Sequence, residues 1–298
     1  MVARWLLYLR ESFHPASRLF VSALLTYLVW GLLRLKHAPE RGFGELLAAA
    51  LTYALMILYY RICDEFKDAD TDREYFPERP VPSGRVRLAD LRALKHATSV
   101  VAFALQIVLP HAAWVFLGFW LFAWAMGRWF FLPRLISQNR LLAFVTHAPI
   151  GLLGILYLLR ALGPEDITVW KPGHLVMAFV LAGPGMVWEI LRKTRSPQAE
   201  RPGYQTYSSI LGTSGAMLLA GALALAVMVL GIWVAPTWEL PDWMTVALLA
   251  WHLTLFAVLI GVHRLLQRRE ADLRWLGEAY SAGLLLLFAS GVLAALWG

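Results

Sequence analysis

Apolar runs of about twenty residues recur along the chain, separated by short polar stretches that hold most of the charge. The runs fall at about 17–35, 43–63, 92–110, 111–128, 141–160, 173–191, 212–234, 243–263 and 277–297. Each approaches the roughly 20 residues that a helix needs to cross a bilayer. They are continuous rather than alternating, which argues against a β-barrel. The pattern predicts an all-α, polytopic membrane bundle in one domain, 1–298. About nine transmembrane helices are expected, with the long connections on one side. Pro110-His111 alone separates the third and fourth runs, so their connection must be tight. Proline and glycine inside a run, as at Ala182–Met186, are tolerated where neighbouring helices satisfy the freed backbone groups.

Composition agrees with the pattern. The 298 residues are 59% hydrophobic and only 16% charged, too little polar surface for a soluble domain of this length. The N-terminal "MVARWLLYLRESFHPASR" lacks the long apolar core and small-residue cleavage site of a signal peptide. Cys63 is the single cysteine, so an intrachain disulfide and a thiolate metal cluster are excluded. It reads as a small residue at a helix end.

Charge sets an expected orientation. With nine spans, one side carries 22 of the 27 Lys and Arg and the other only Arg34, Lys36, Arg41, Arg160 and Lys171. The positive-inside bias predicts that the N-terminus and the long connections 64–91 and 192–211 are cytoplasmic, in a cytoplasmic membrane. The net charge of +7 follows largely from this bias. The basic residues are spread over several short loops, which gives no support for nucleic-acid binding and fits attraction to anionic lipid headgroups.

The second run ends in "DEFKDADTD". Asp64, Asp68 and Asp72 are spaced i, i+4, i+8, which on a helix puts them on one face. Like charges at that spacing repel, and a charge at the edge of an apolar span is expensive unless it serves a purpose. Glu65 and Asp70 add carboxylates nearby. Lys67, Arg73 and Arg79 offset part of the charge; a hard divalent cation such as Mg²⁺, which takes oxygen ligands, would offset more. The structural alternative is a solvated, salt-bridged juxtamembrane helix.

"DEFKDADTD" followed by "ERPVPSGRV" resembles the first motif of the UbiA superfamily of intramembrane prenyltransferases, Asn-Asp-x-x-Asp-x-x-x-Asp with a downstream Arg-Pro-(Ile/Val)-Pro-Ser-Gly. Asp68, Asp72, Arg79, Pro80, Pro82, Ser83 and Gly84 match it, while Asp64 and Glu65 are conservative departures. The resemblance implies that Asp68 and Asp72, then Asp64 and Glu65, hold Mg²⁺ and through it the diphosphate of an isoprenoid. It also makes Arg79 a candidate diphosphate contact, with pairing to Glu74 or Glu78 as the structural alternative.

The family's second motif, Asp-x-x-x-Asp, falls at Trp188–Gly212. Here Glu189 takes the first place and Lys193 stands where the second carboxylate would be. Glu189 is then either a metal ligand or the i+4 ion-pair partner of Lys193, and Lys193 with Arg192 are candidate diphosphate contacts. In "GRWFFLPRLISQNR" (127–140), Arg134 is a candidate for the basic residue that the family carries after its fourth span, with an interfacial arginine as the alternative. His147 is expected to be buried and hydrogen-bonded. Tyr53, Tyr60, Trp120, Trp124, Tyr157 and Trp188 are aromatic candidates for cation–π contact, against packing or interfacial roles.

The implied activity is a Mg²⁺-dependent transfer of an isoprenyl group from its diphosphate, through an allylic carbocation, to a hydrophobic or aromatic acceptor. A terpene cyclase acting on the prenyl diphosphate alone is the alternative within the same fold. A transporter is a remote one, since transporters place polar groups near the bilayer midplane and here the charge gathers at one face.

Overall fold

The computed structural model describes residues 1–38, 40–266 and 269–298. They form α-helices joined by short turns and contain no β-strand beyond one isolated bridge. The helices are α1 (Val2–Tyr8), α2 (Pro15–Leu35), α3 (Phe43–Lys67), α4 (Ala69–Tyr75), α5 (Leu88–Ala104), α6 (Ala113–Met126) and α7 (Pro133–Ile136). There follow α8 (Arg140–His147), α9 (Pro149–Leu162), α10 (Pro172–Leu191), α11 (Tyr207–Val234), α12 (Trp243–Leu266) and α13 (Arg274–Trp297).

Among the described residues seven stretches are long and apolar enough to cross a membrane: α2, α3, α8 with α9, α10, α11, α12 and α13. The segments Leu88–Ile107 and Pro110–Met126 pass the test only together and are bent by 119° where they meet. Counting that pair as one span gives eight, against the nine read from the sequence. The reason is length. At 1.5 Å per residue the 14 residues of α6 extend about 21 Å, short of a hydrocarbon core of about 30 Å. Pro110 fixes the bend, because it has no N–H and pushes Leu109 out of helical geometry (φ −126°, ψ 54°). Large apolar side chains such as Trp114, Val246 and Ile260 stand exposed along the helices. Water would not tolerate so much apolar surface and lipid does. The protein is an integral membrane protein.

The chain packs as two compact units. The first comprises Met1–Thr26, Glu40–Asn139 and Tyr157–Ile167. Its centre is α3, which lies against α5 and α6 and buries Thr52, Tyr53, Met56, Tyr59 and Ile62. Where α6 ends, a side chain at Gly127 would come within 2.8 Å of Cys63 Cβ, so the close approach needs small residues at both positions. Cys63 is buried there, which accounts for it as packing. Gln106 is the polar intruder in this core. Its Nε2 donates to Ala102 O at 2.9 Å and lies 3.3 Å from Thr52 Oγ1 and 3.4 Å from Tyr157 Oη. Around it, Tyr157 makes ring contacts with Phe116 and Phe119, and Phe119 with Tyr53.

The second unit comprises Tyr27–Pro39, Arg140–Leu156 and Thr168–Gly298. Here α10 packs between α11 and α13. Gly183 permits the α10–α11 contact, because a Cβ there would sit 2.3 Å from Val227 Cγ2. Pro184 interrupts the hydrogen-bond ladder of α10, and Ser281 Oγ of α13 donates to its carbonyl at 2.6 Å. His252 on α12 is fully buried. Its Nδ1 donates to Leu248 O at 2.7 Å, which leaves Nε2 to accept from Tyr280 Oη of α13 at 3.0 Å.

Candidate active site

The first acidic motif lies in the first unit, where α3 gives way to α4. The sequence predicts three aspartates on one helix, and the structure breaks that helix at the middle one. Asp68 has φ −103° and ψ 12° and serves as the end of α3 and the start of α4. Repulsion between carboxylates one turn apart, and the poor fit of aspartate in helix interiors, make this the weak point of the run. The turn-by-turn spacing nevertheless persists. Asp68 N donates to Asp64 O and Asp72 N to Asp68 O, both at 2.8 Å, so consecutive backbone bonds link all three aspartates across the break.

Most of the carboxylates here carry a basic partner from the chain. Arg61 reaches Glu65 at 2.8 Å, Lys67 reaches Asp64 at 2.8 Å, and Arg79 reaches Asp72 at 2.9 Å. Glu65 and Asp72 are buried. Asp70, a carboxylate outside the i, i+4, i+8 series, points to solvent and meets the exposed Arg73 at 3.2 Å. The partner of Arg79 is thus Asp72, not one of the glutamates considered from the sequence, and its guanidinium also stacks on Phe76 at 3.8 Å. Lys67 lies over the Trp129 ring at 4.5 Å.

The segment after Arg79 is a tight structure of its own. Ser83 N donates to Arg79 O, Gly84 N to Val81 O and Val86 N to Pro80 O. Gly84 has φ +75°, a conformation that a side chain disfavours, so Pro-Val-Pro-Ser-Gly is read here as turn chemistry. Arg85 then crosses to Glu11, with Nη1 2.7 Å from Oε2.

The second motif lies in the second unit, at the end of α10. Glu189 takes Lys193 Nζ on one oxygen at 2.8 Å and Arg192 Nε on the other at 2.6 Å. Arg192 also stacks on Trp188 at 4.8 Å. Both oxygens of Glu189 are therefore occupied by cations, and the cluster keeps a surplus positive charge. Burial, with help from Arg192 and Arg140, pulls the Lys193 ammonium down to about 8, against the opposing pull of Glu189.

The loop that follows is pinned at several points. Ser196 N donates to Ala271 O at 2.9 Å and Leu273 N to Thr194 O at 3.1 Å, around an antiparallel bridge between Arg195 and Asp272. Glu200 Oε1 accepts from Thr206 Oγ1 at 2.7 Å and Ser208 Oγ at 2.5 Å. Thr206 and Ser209 cap the start of α11 by reciprocal bonds of 2.9 Å. An open hollow of about 550 Å³, lined by Glu200, Arg201, Tyr204 and Gln205 among others, lies along this loop.

The remaining candidates are dispersed. Arg134 is exposed on the short α7. His147 is only partly buried and lies 3.0 Å from Thr146 Oγ1 through Nδ1. Tyr53 and Tyr157 are packed inside the first unit, while Trp120, Trp124 and Trp188 are partly exposed. Two residues have no signal in a motif: Arg61, which pairs with Glu65, and Tyr8, which is fully buried at the end of α1 and electrostatically coupled to Arg61. Arg61 is visible only as the residue one turn before Glu65, and Tyr8 is far away in the chain.

Among the described residues, no three His, Cys, Asp or Glu side chains form a ready metal cage. Magnesium does not require one: it is commonly held by one or two carboxylates and completes its shell with water and substrate phosphates. The all-oxygen donor set at the α3–α4 break fits that chemistry.

A family model described as the UbiA prenyltransferase family matches residues 23–277. No curated protein sequence matches the chain. Among solved structures, the apo structure of a UbiA homologue from Aeropyrum pernix K1 superposes with a TM-score of 0.67 at 16% identity, over 93% of this chain and 98% of that one. A structure of digeranylgeranylglyceryl phosphate synthase gives 0.65 at 13% identity, over 98% and 99% of the two chains. A UbiA homologue from Archaeoglobus fulgidus bound to DMAPP and Mg²⁺ gives 0.65 at 13%, over 97% and 98%. At these identities the likeness is one of fold.

Proposed function

The chain belongs to the UbiA prenyltransferase family, and from that membership we propose that it is a magnesium-dependent intramembrane prenyltransferase. It moves an isoprenyl group from an isoprenyl diphosphate to a hydrophobic or aromatic acceptor. The observation that carries this reading is the linked series Asp64, Asp68 and Asp72 at the end of a membrane-length helix, with Arg79 on Asp72. Support also comes from the Archaeoglobus fulgidus homologues of the same fold, which hold DMAPP or GPP together with Mg²⁺.

In this reading Asp68 and Asp72 hold the ion, with Asp64 and Glu65 beside them. Magnesium, when bound, supplies positive charge against that developing on the departing diphosphate. Arg79, held on Asp72 and stacked on Phe76, is a cation on the aspartate series available to a phosphate oxygen. Arg192 and Lys193 form a second phosphate-binding group whose charge exceeds that of Glu189. Apolar helices keep water from the allylic carbocation until a nucleophilic carbon of the acceptor takes it. The lysine and arginine bias puts the N-terminus and the 64–91 connection on the cytoplasmic side.

The test is incubation of purified protein in lipid with Mg²⁺ and C10, C15 or C20 prenyl diphosphates, with and without a mixture of aromatic acceptors. Prenylated acceptor, formed only with Mg²⁺, is the expected product. A cyclic hydrocarbon or alcohol formed without acceptor would replace the transferase reading with a cyclase. Absence of Mg²⁺-dependent diphosphate release from folded protein would remove both.

A further inference from the structure

Lys67, the last residue of α3, is held from two sides. Its Nζ lies 2.8 Å from Asp64 Oδ1, one turn back, and 4.5 Å from the centroid of the Trp129 ring. The side chain is only 6% exposed, so the ammonium is largely withdrawn from water. Arg79, the cation on Asp72, is 39% exposed and has water to turn to.

The turn that presents Trp129 is an outlier. Trp129, Phe130 and Phe131 have positive φ values of 52°, 49° and 63°, a region that bulky residues rarely enter. Such backbone persists only where its surroundings over-determine it. Here Phe130 packs on Phe122 and Phe131 on Trp124, both of α6. Leu132 N donates to Trp129 O at 2.9 Å. What this turn delivers is an indole ring against the Lys67 ammonium, an attraction that strengthens as water is excluded.

A divalent ion that took Asp64 would strip this buried ammonium of a carboxylate and set a double positive charge beside it. Asp68 and Asp72 lie at and beyond the break that ends α3. We propose that Lys67 is the internal cation of the series: Trp129 holds it on Asp64, Asp64 stays out of the metal shell, and Asp68 and Asp72 alone ligate the ion. Trp129 is then a positioning residue for the metal site. This inference rests on the metal-dependent reading above, and its test separates the two.

Mn²⁺ binding to the full-length protein in nanodiscs of zwitterionic lipid is followed by electron paramagnetic resonance, with and without inorganic diphosphate. Asp68→Asn should weaken binding about tenfold or more, and Asp64→Asn by no more than about threefold. Lys67→Met should tighten it about tenfold, because Asp64 becomes available to the ion. The double variant Asp64→Asn/Lys67→Met leaves the net charge as it was and should bind as the wild type does. Trp129→Leu should tighten binding about threefold, within the range of one cation–π contact, and should lose that effect in the Asp64→Asn background. Asp64→Asn as damaging as Asp68→Asn, or Lys67→Met that binds no tighter than the wild type, would overturn the proposal. Wild-type protein that binds Mn²⁺ in neither arm would overturn the metal reading and this inference with it. If Trp129→Leu folds poorly, a ring-fluorinated tryptophan at position 129 keeps the shape and weakens the negative face of the ring. It should tighten Mn²⁺ binding in the same direction, and unchanged binding would count against the role given to Trp129.

Discussion

Arg79 and Asp72 are seven positions apart, and Nη1 of one stands 2.9 Å from Oδ1 of the other. The contact folds the start of the Pro-rich turn back onto α4 and sets a cation on the last aspartate of the series. Asp72 is thus engaged before any metal is considered, and Arg79 must be displaced or must turn toward phosphate when one binds. Arg79→Ala should raise KM for the prenyl diphosphate about tenfold, because a charge-assisted contact is lost, while KM for Mg²⁺ should fall as Asp72 is released. Steady-state kinetics with each ligand varied in turn measures both.

The aspartates themselves should separate by position. Asp68→Ala and Asp72→Ala should each lower kcat about 10²-fold or more, the scale for removing one group that stabilises developing charge. Asp70→Ala should leave it within about twofold. Asp70 has the same charge and lies two residues from each, but it points to solvent. Equal losses at all three positions would mean that local charge, not placement, is what matters.

Lys193 supplies a pH dependence. Its ammonium is pulled from 10.5 to about 8 by burial, so the free enzyme should lose this charge, proposed above to bind phosphate, as pH rises through about 8. The profile of kcat/KM, which reports the free enzyme, should show a falling limb there. Lys193→Arg should move the limb upward. Stability should change in the opposite sense. Between about pH 8 and 10.5 the unfolded chain keeps a proton that the folded one has released, so stability rises with pH across that window. Lys193→Met should abolish this rise in chemical denaturation.

Glu189→Gln should destabilise the second unit by about 1–3 kcal/mol. The substitution strands Arg192 and Lys193 without their anion, and the value is reduced from that of a fully buried pair because Glu189 remains a quarter exposed. The double variant Glu189→Gln/Lys193→Met should recover part of the loss, which a double-mutant cycle measures.

Gly183→Ala should cost about 1–3 kcal/mol by overpacking, since the new methyl would lie 2.3 Å from Val227 Cγ2. Val227→Ala in the same chain should restore most of it. Thermal melting of the three proteins decides the point.

The sequence was informative where a single periodic property ruled. Continuous apolar runs located α2, α3 and α10–α13, because crossing a bilayer demands length and little else. The spacing of Asp64, Asp68 and Asp72 anticipated their linkage, since backbone bonds one turn apart hold it. It did not anticipate the break at Asp68, where side-chain repulsion competes with helix propensity. Nor did apolarity alone separate a full span from the two bent arms on either side of Pro110. The pairing of Glu189 with Lys193 was readable as an i+4 contact, whereas Arg192 on the second oxygen depended on the side-chain arrangement at the helix end. Tyr8 was beyond reach. Nothing in its neighbourhood in the chain marks it, and only the docking of α1 on Asp90 of α5 explains its burial.

The amide of Gln106 also bears on how the chain enters the membrane. An unpaired amide in hydrocarbon opposes partition from the translocon, so Gln106 makes its arm a reluctant insertion substrate. Its partner Thr52 belongs to α3 and has left the ribosome before Gln106 is translated. Tyr157, which completes the network, follows some fifty residues later. The order of synthesis therefore delivers Thr52 to the bilayer ahead of Gln106, whose Nε2 otherwise has Ala102 O of its own arm as acceptor.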